Sequence, residues 1–155
     1  MEASRRWTAA LVGLLLVGSC LAAPAAPPTE ARFVASPAPV RRTLVGVVQA
    51  QLAAFRKGDF EKAYSYASAE IRRRFDRAQF ARMVRESYPA IANSQAARFG
   101  GVFDDGRRAV VHAEIDSAVR RQVMFAYLLV REAGQWKISG VYEAETPSLD
   151  GEIQT

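Results

Sequence analysis

Around residue 90 the spacing of the apolar side chains changes, and that change leaves the chain few folds. From Leu44 to Tyr88 apolar residues recur every three or four positions, the period of a helix; from Phe99 to Val141 they alternate, the period of a strand. Leu44, Val47, Val48, Leu52 and Phe55 share one face of a first helix, which Gly58 stops. Asp59 is placed to cap a second helix, with Phe60, Ala63, Tyr64 and Ala67 as its apolar stripe. Ser68 caps a further turn through Ile71. Asp76 and Gln79 have the spacing of a capping box ahead of a third helix, whose face is Phe80, Met83, Val84 and Tyr88 and whose end is Pro89.

The alternating part divides into four strands. Phe99 and Phe103 belong to the first, which ends at the hairpin signal Asp104-Asp105-Gly106. Val111, Ala113 and Ile115 alternate in the second. A turn over Ser117–Arg120 leads to "QVMFAYLLVRE", and Ala133-Gly134 turns the chain into "QWKISGVYEAE". Helices grouped before an antiparallel meander define an α+β class: three N-terminal helices packed on a curved four-stranded sheet. The expected domain spans 40–145, with a C-terminal tail over 146–155.

What precedes the domain reads as targeting. Arg5 and Arg6 are followed by an almost continuous apolar run from Trp7 to Val17, then by small residues from Gly18 to Ala23. Positive charge, apolar core and small-residue cleavage zone are the order of a secretory signal, expected over 1–22. The run is too short to span a bilayer, which takes about 20 residues. Cys20, the single cysteine of the chain, leaves two processing routes open. Val17-Gly18-Ser19-Cys20 resembles a bacterial lipobox, in which case Cys20 is the lipidation site. Alternatively an ordinary signal peptidase cuts after Ala22 and discards it. A third reading, Cys20 as a buried small hydrophobe of an uncut helix, fits the flanking residues least well. Residues 23–39 hold five of the seven prolines and read as an extended tether. The expected location is the bacterial envelope: periplasmic, anchored as a lipoprotein, or secreted.

Composition narrows the partners. The 155 residues, half of them hydrophobic and 24% charged, suit one soluble domain. The formal net charge of +5 falls by one when the signal, with Glu2, Arg5 and Arg6, is removed. The arginines are scattered without interleaved aromatics, so nucleic acid is not an expected partner. One histidine and no paired ligand spacing leave no expected metal site, and no cofactor is expected.

The segments "FRKGDFEKAYSYAS" and "GQWKISGV" carry a resemblance. The first is a helix, a Gly-Asp break and a second helix with paired aromatics; the second is a late strand with Trp136 and Ile138 two residues apart. They resemble the cone-shaped fold of the nuclear-transport-factor-2-like superfamily, also called ketosteroid-isomerase-like or cystatin-like. Within it the chain is most similar to a bacterial family termed domain of unknown function 4864. The matching positions include Gln51, Leu52, Phe55, Asp59, Phe60 and Tyr64, then Phe80, Met83, Val84, Tyr88 and Pro89, then Trp136, Ile138, Ser139 and Gly140. The resemblance covers Leu44 to Val141. It implies a conical pocket between helices and sheet, and it implies no catalytic residue, since that family has no established activity. The superfamily hosts enzymes, binding modules and assembly subunits, so the fold does not choose among them.

In "VVHAEID", His112, Glu114 and Asp116 share one strand face and would form an acid–base cluster if that face lined a pocket. The opposite parity, Val111, Ala113 and Ile115, is apolar, which sends the polar set to the outer face. Arg72, Arg73 and Arg74 read as a solvated helix end. Phe60 and Trp136 are assigned to the core. Tyr64 and Tyr127 are the expected pocket wall, because a phenol offers an apolar body and a polar tip. In "VMFAYLLV" both parities are apolar, so a central strand with a covered outer face is expected, and a homodimer through the sheet would cover it. The functional expectation is a non-enzymatic module binding a small ligand or an envelope protein. The alternative is an isomerase- or dehydratase-type enzyme with an acid or base in the conical pocket.

Overall fold

The computed structural model describes residues 32–144. The signal segment with Cys20, the tether up to residue 31 and the tail from residue 146 lie outside the described residues.

The chain enters through strand β1 (Val34–Ala35) and continues into helices α1 (Ala38–Arg56), α2 (Phe60–Ser65), α3 (Ala69–Arg74), α4 (Arg77–Ser87) and α5 (Pro89–Ala92). Strands β2 (Ser94–Asp104), β3 (Arg108–Ser117), β4 (Val123–Glu132) and β5 (Gln135–Glu143) follow. All five strands join one antiparallel sheet in the order β1-β2-β3-β4-β5. The class is α+β as the periodicity requires. The described residues hold five strands and five helices, not four and three. The extra strand is β1, two residues paired to Phe103 and Asp104 and pinned by the Ser36 hydroxyl on the Asp104 carboxylate. It falls in the proline-rich stretch 23–39, as does the start of α1; Pro39 sits in the first turn of α1, where a missing N–H costs nothing. The extra helices are α3, capped by Ser68, and α5, which Pro89 begins although it also ends α4. No described helix is long and apolar enough to cross a membrane.

The helix ends follow from local chemistry. Gly58 takes a positive φ of 70° and reverses the chain after α1. The Asp59 carboxylate then accepts the Lys62 N–H at 2.8 Å, capping α2. Asp76 and Gln79 form the reciprocal capping box of α4, with bonds of 2.8 and 2.9 Å. The α2–α3 link is stitched to the sheet: the Ser68 N–H donates to Ile138 O and the Ile138 N–H to Tyr66 O, both at 2.8 Å. Edge strand β5 is thereby covered along part of its length.

The sheet buries one face against the helices. Val111, Ala113 and Ile115 of β3 and Phe125, Tyr127 and Leu129 of β4 pack below α1, whose Leu44, Val48 and Leu52 are fully buried. Aromatic contacts join α1, α2 and α4: Phe55 lies 5.4 Å from Phe60 and 6.2 Å from Phe80, and Tyr64 lies 5.2 Å from Phe80, centroid to centroid. Each such pair adds about 0.5–1.5 kcal/mol beyond its area burial. Trp136 is in the core and Phe60 packs at its margin.

The ladder shifts register three times, first between Ser94 and Ala96 of β2; the other two shifts are bulges that re-aim side chains. The register of β2 on β3 shifts between Phe99 and Val102, across Gly100 and Gly101. Phe99 and Phe103, four residues apart, therefore fall on opposite faces. Phe99 packs on the core, and Phe103 is exposed on the outer face with its ring edge-on to His112. At Gly101 a Cβ would stand 2.7 Å from the Phe103 ring, so a larger residue would require that exposed ring to move aside. The second bulge, at Ser139, shifts β5 on β4 between Leu128 and Leu129.

The outer face carries His112, Glu114 and Asp116 as the alternation requires, with Glu114 ion-paired to Arg98. Beside them lie Phe103, Val110, Met124, Ala126, Leu128 and Val130. Strand β4 is interior to the sheet, flanked by β3 and β5, and its outer parity is half-buried.

Candidate ligand cavity

Between the helices and β5 lies a cavity of about 310 Å³. Its floor is Gln51 and Phe55 of α1. One wall is Ile71 of α3 with Phe75 of the α3–α4 link, and another is Phe80, Met83 and Val84 of α4. The stripe that makes α4 amphipathic supplies this wall: Phe80 and Val84 point into the core, and Met83 faces the opening. Ile91 of α5 closes one end. The opposite wall is edge strand β5, where Ile138, Ser139, Gly140, Val141 and Tyr142 border the cavity consecutively. A regular strand turns only every second side chain to one face; the extra residue Ser139 lets both Ile138 and Val141 face the helices.

The lining is apolar with a few fixed polar groups. The Tyr88 hydroxyl donates to Val141 O at 3.2 Å, tying the α4–α5 junction to β5. The Ser139 hydroxyl donates to Leu128 O at 3.3 Å. Gln51, only 4% exposed, donates from Nε2 to Ala63 O at 3.2 Å. Arg74 stands at the mouth, ion-paired to Glu70 at 3.3 Å, with both side chains exposed. The ionisable side chains of the lining are Arg74, Tyr88 and Tyr142. His112, Glu114 and Asp116 are on the other face of the sheet. Among the described residues no three His, Cys, Asp or Glu side chains are grouped so as to hold a metal.

Neither tyrosine expected from the sequence is among the lining residues. Tyr64 stands behind the wall: its hydroxyl donates to Phe75 O at 2.7 Å and also approaches Arg72 O at 3.2 Å, so its polar tip is spent on the backbone. Tyr127 is on the inner face of β4, where it is fully buried. Its hydroxyl has no partner among the described residues, and burial pushes its ionisation far above the ordinary phenol range. Tyr88 and Tyr142 border the cavity instead, the first because α4 ends there, the second from the exposed edge of β5, where it pairs with Ala126. Gln51 had a signal in the sequence: a polar side chain in the apolar stripe Leu44, Val48, Leu52 and Phe55 of α1.

A mixed α+β domain with an apolar cavity between its helices and the edge of its sheet is the class that fold and site define. The family described as Domain of unknown function (DUF4864) matches residues 38–151, and the chain belongs to that family. No curated protein matches the chain.

Proposed function

We propose that this chain is an exported binding module of the bacterial envelope that takes a small, mostly apolar ligand in the cavity between α1, α3, α4 and β5. The carrying observation is the cavity itself. Its volume of about 310 Å³, apolar walls and few convergent polar groups are the properties of small-molecule sites. The helices-on-sheet arrangement is compatible with the nuclear-transport-factor-2-like cone, and the reading includes that superfamily. Export rests on the order of Arg5 and Arg6, the apolar run and the small residues up to Ala23. The domain is held by the tether, and by a lipid on Cys20 where lipoprotein processing operates. An isomerase- or dehydratase-type activity draws no support from the cavity, whose lining offers no carboxylate or imidazole to move a proton.

The outer sheet face supports a second element of the reading, pairing with another copy of this chain. Phe103, Val110 and Leu128 form an apolar row across β2, β3 and β4.

Cell fractionation with mass measurement of the mature chain tests export. A chain beginning at a lipid-modified Cys20 or after Ala22 is expected, and an intact Met1 start in the cytoplasmic fraction overturns export.

A further inference from the structure

We infer that the ligand of this cavity is a neutral apolar molecule bearing a hydrogen-bond donor, a hydroxyl or amide N–H, which Gln51 Oε1 receives at the cavity floor. This rests on the reading that the cavity is the binding site.

Gln51 lies on the buried face of α1 beside Val48, Leu52 and Phe55, and is itself more than nine-tenths buried. A side-chain amide carries two donor protons and an acceptor oxygen, and burying it is costly unless these are paired. The Ala63 carbonyl fixes which way the amide faces, because a carbonyl oxygen can pair only with the Nε2 side. Oε1 is therefore turned away from Ala63. No described residue donates to it. Nor is it sealed in the protein: the sealed and unpaired side-chain oxygens among the described residues are those of Ser94 and Tyr127. Gln51 lines the cavity, so the space Oε1 meets is the cavity.

Phe55, Phe80, Ile91 and Ile138 have no polar side-chain atoms. The Tyr88 and Ser139 hydroxyls keep acceptor lone pairs, but their protons are spent on backbone carbonyls and both side chains are less buried than Gln51, the deepest polar side chain of the lining. A charged donor is disfavoured, since one neutral oxygen in an apolar cavity does not replace the hydration of an ammonium. An apolar body with one neutral donor satisfies the oxygen and covers the walls. A polar residue where the helix pattern calls for an apolar one is also the kind of local departure that marks function.

Three probes of one shape test this on the full mature chain: 2-naphthol, 2-methoxynaphthalene and naphthalene, titrated by calorimetry and ligand-observed NMR. The phenol donates a proton, its methyl ether keeps the oxygen without the proton, and the hydrocarbon has neither. The expected result is that 2-naphthol binds roughly tenfold more tightly than the other two, the scale of one hydrogen bond. The Gln51 side-chain amide resonances should shift with 2-naphthol and not with the ether. Gln51→Met should abolish the preference, and the amide shift in the unaltered chain decides the matter if that variant fails to fold. Equal affinity for 2-naphthol and its ether overturns the donor inference and leaves the cavity reading standing. A preference that survives in Gln51→Met overturns the assignment to Gln51. No binding of any probe overturns both.

Discussion

Tyr64 of α2 donates its hydroxyl proton to the carbonyl oxygen of Phe75, 2.7 Å away and eleven residues downstream. Phe75 is a wall of the cavity, so a side chain outside the cavity fixes one of its sides. Tyr64→Phe keeps the ring against Phe80 and removes only the hydroxyl's contacts to Phe75 O and Arg72 O. It is expected to cost about 1 kcal/mol, read as a lower urea midpoint at unchanged slope. An unchanged midpoint would mean the α3–α4 link is held without it.

Tyr127 makes the opposite case. Its hydroxyl is buried without a partner among the described residues, so removing it relieves a desolvation cost. Tyr127→Phe is expected to leave stability unchanged or raise it by up to about 1 kcal/mol. The pH dependence carries the same signature. The folded chain holds this proton beyond the ordinary phenol value of 10.0, so the contribution is intact below that pH and is lost as pH rises above it. Tyr127→Phe should lessen that alkaline fall. A variant clearly less stable at neutral pH would show that the hydroxyl is paired.

At the acid end, the Arg108 N–H bond, with further bonds from the Arg107 N–H and the Arg108 side chain, holds the Asp105 carboxyl below its ordinary 3.8. The Arg120 guanidinium does the same for Glu143. The unfolded chain takes up these protons first as pH falls. Both contributions are therefore present at neutral pH and are lost as pH drops through the ordinary carboxylate range and then the lowered folded values. Glu143 is half-exposed, so its share of the effect is small. Asp105→Asn should flatten the acid limb of a stability–pH profile; an unchanged limb contradicts the assignment.

The apolar row Phe103, Val110 and Leu128 predicts self-association through the outer sheet face. Light scattering should give a mass near twice that of the mature chain, falling to one copy in Leu128→Glu. A single-copy mass at every concentration counts against the pairing.

Much of the fold was legible because its signals are local. Asp59, Ser68 and the Asp76–Gln79 pair cap helices where the sequence puts caps, and Asp104–Gly106 and Ala133–Gly134 turn where hairpin residues stand. Strand β1 was not legible: two residues between prolines have no period, and their pairing depends on Asp104, far along the chain. The bulges were hidden for a related reason. Nothing in "FGGVF" says that Phe99 and Phe103 part company, since the extra residue exists only against β3. Val141 faces the cavity because of the bulge at Ser139, which is why it could not be assigned to the wall in advance. Tyr64 and Tyr127 have the phenol chemistry expected of a pocket wall. Which phenols meet open space is decided by packing, and a hydroxyl spent on Phe75 O leaves no trace in composition.

The most direct test of the account is native mass spectrometry of the chain released gently from the cell envelope, alongside an Ile71→Trp variant whose larger ring fills the cavity. The account predicts a bound small-molecule mass on the natural chain and its loss from the variant, with both chains equally folded by circular dichroism. A bare natural chain that also binds none of the apolar probes, or a bound mass that Ile71→Trp leaves in place, would contradict it.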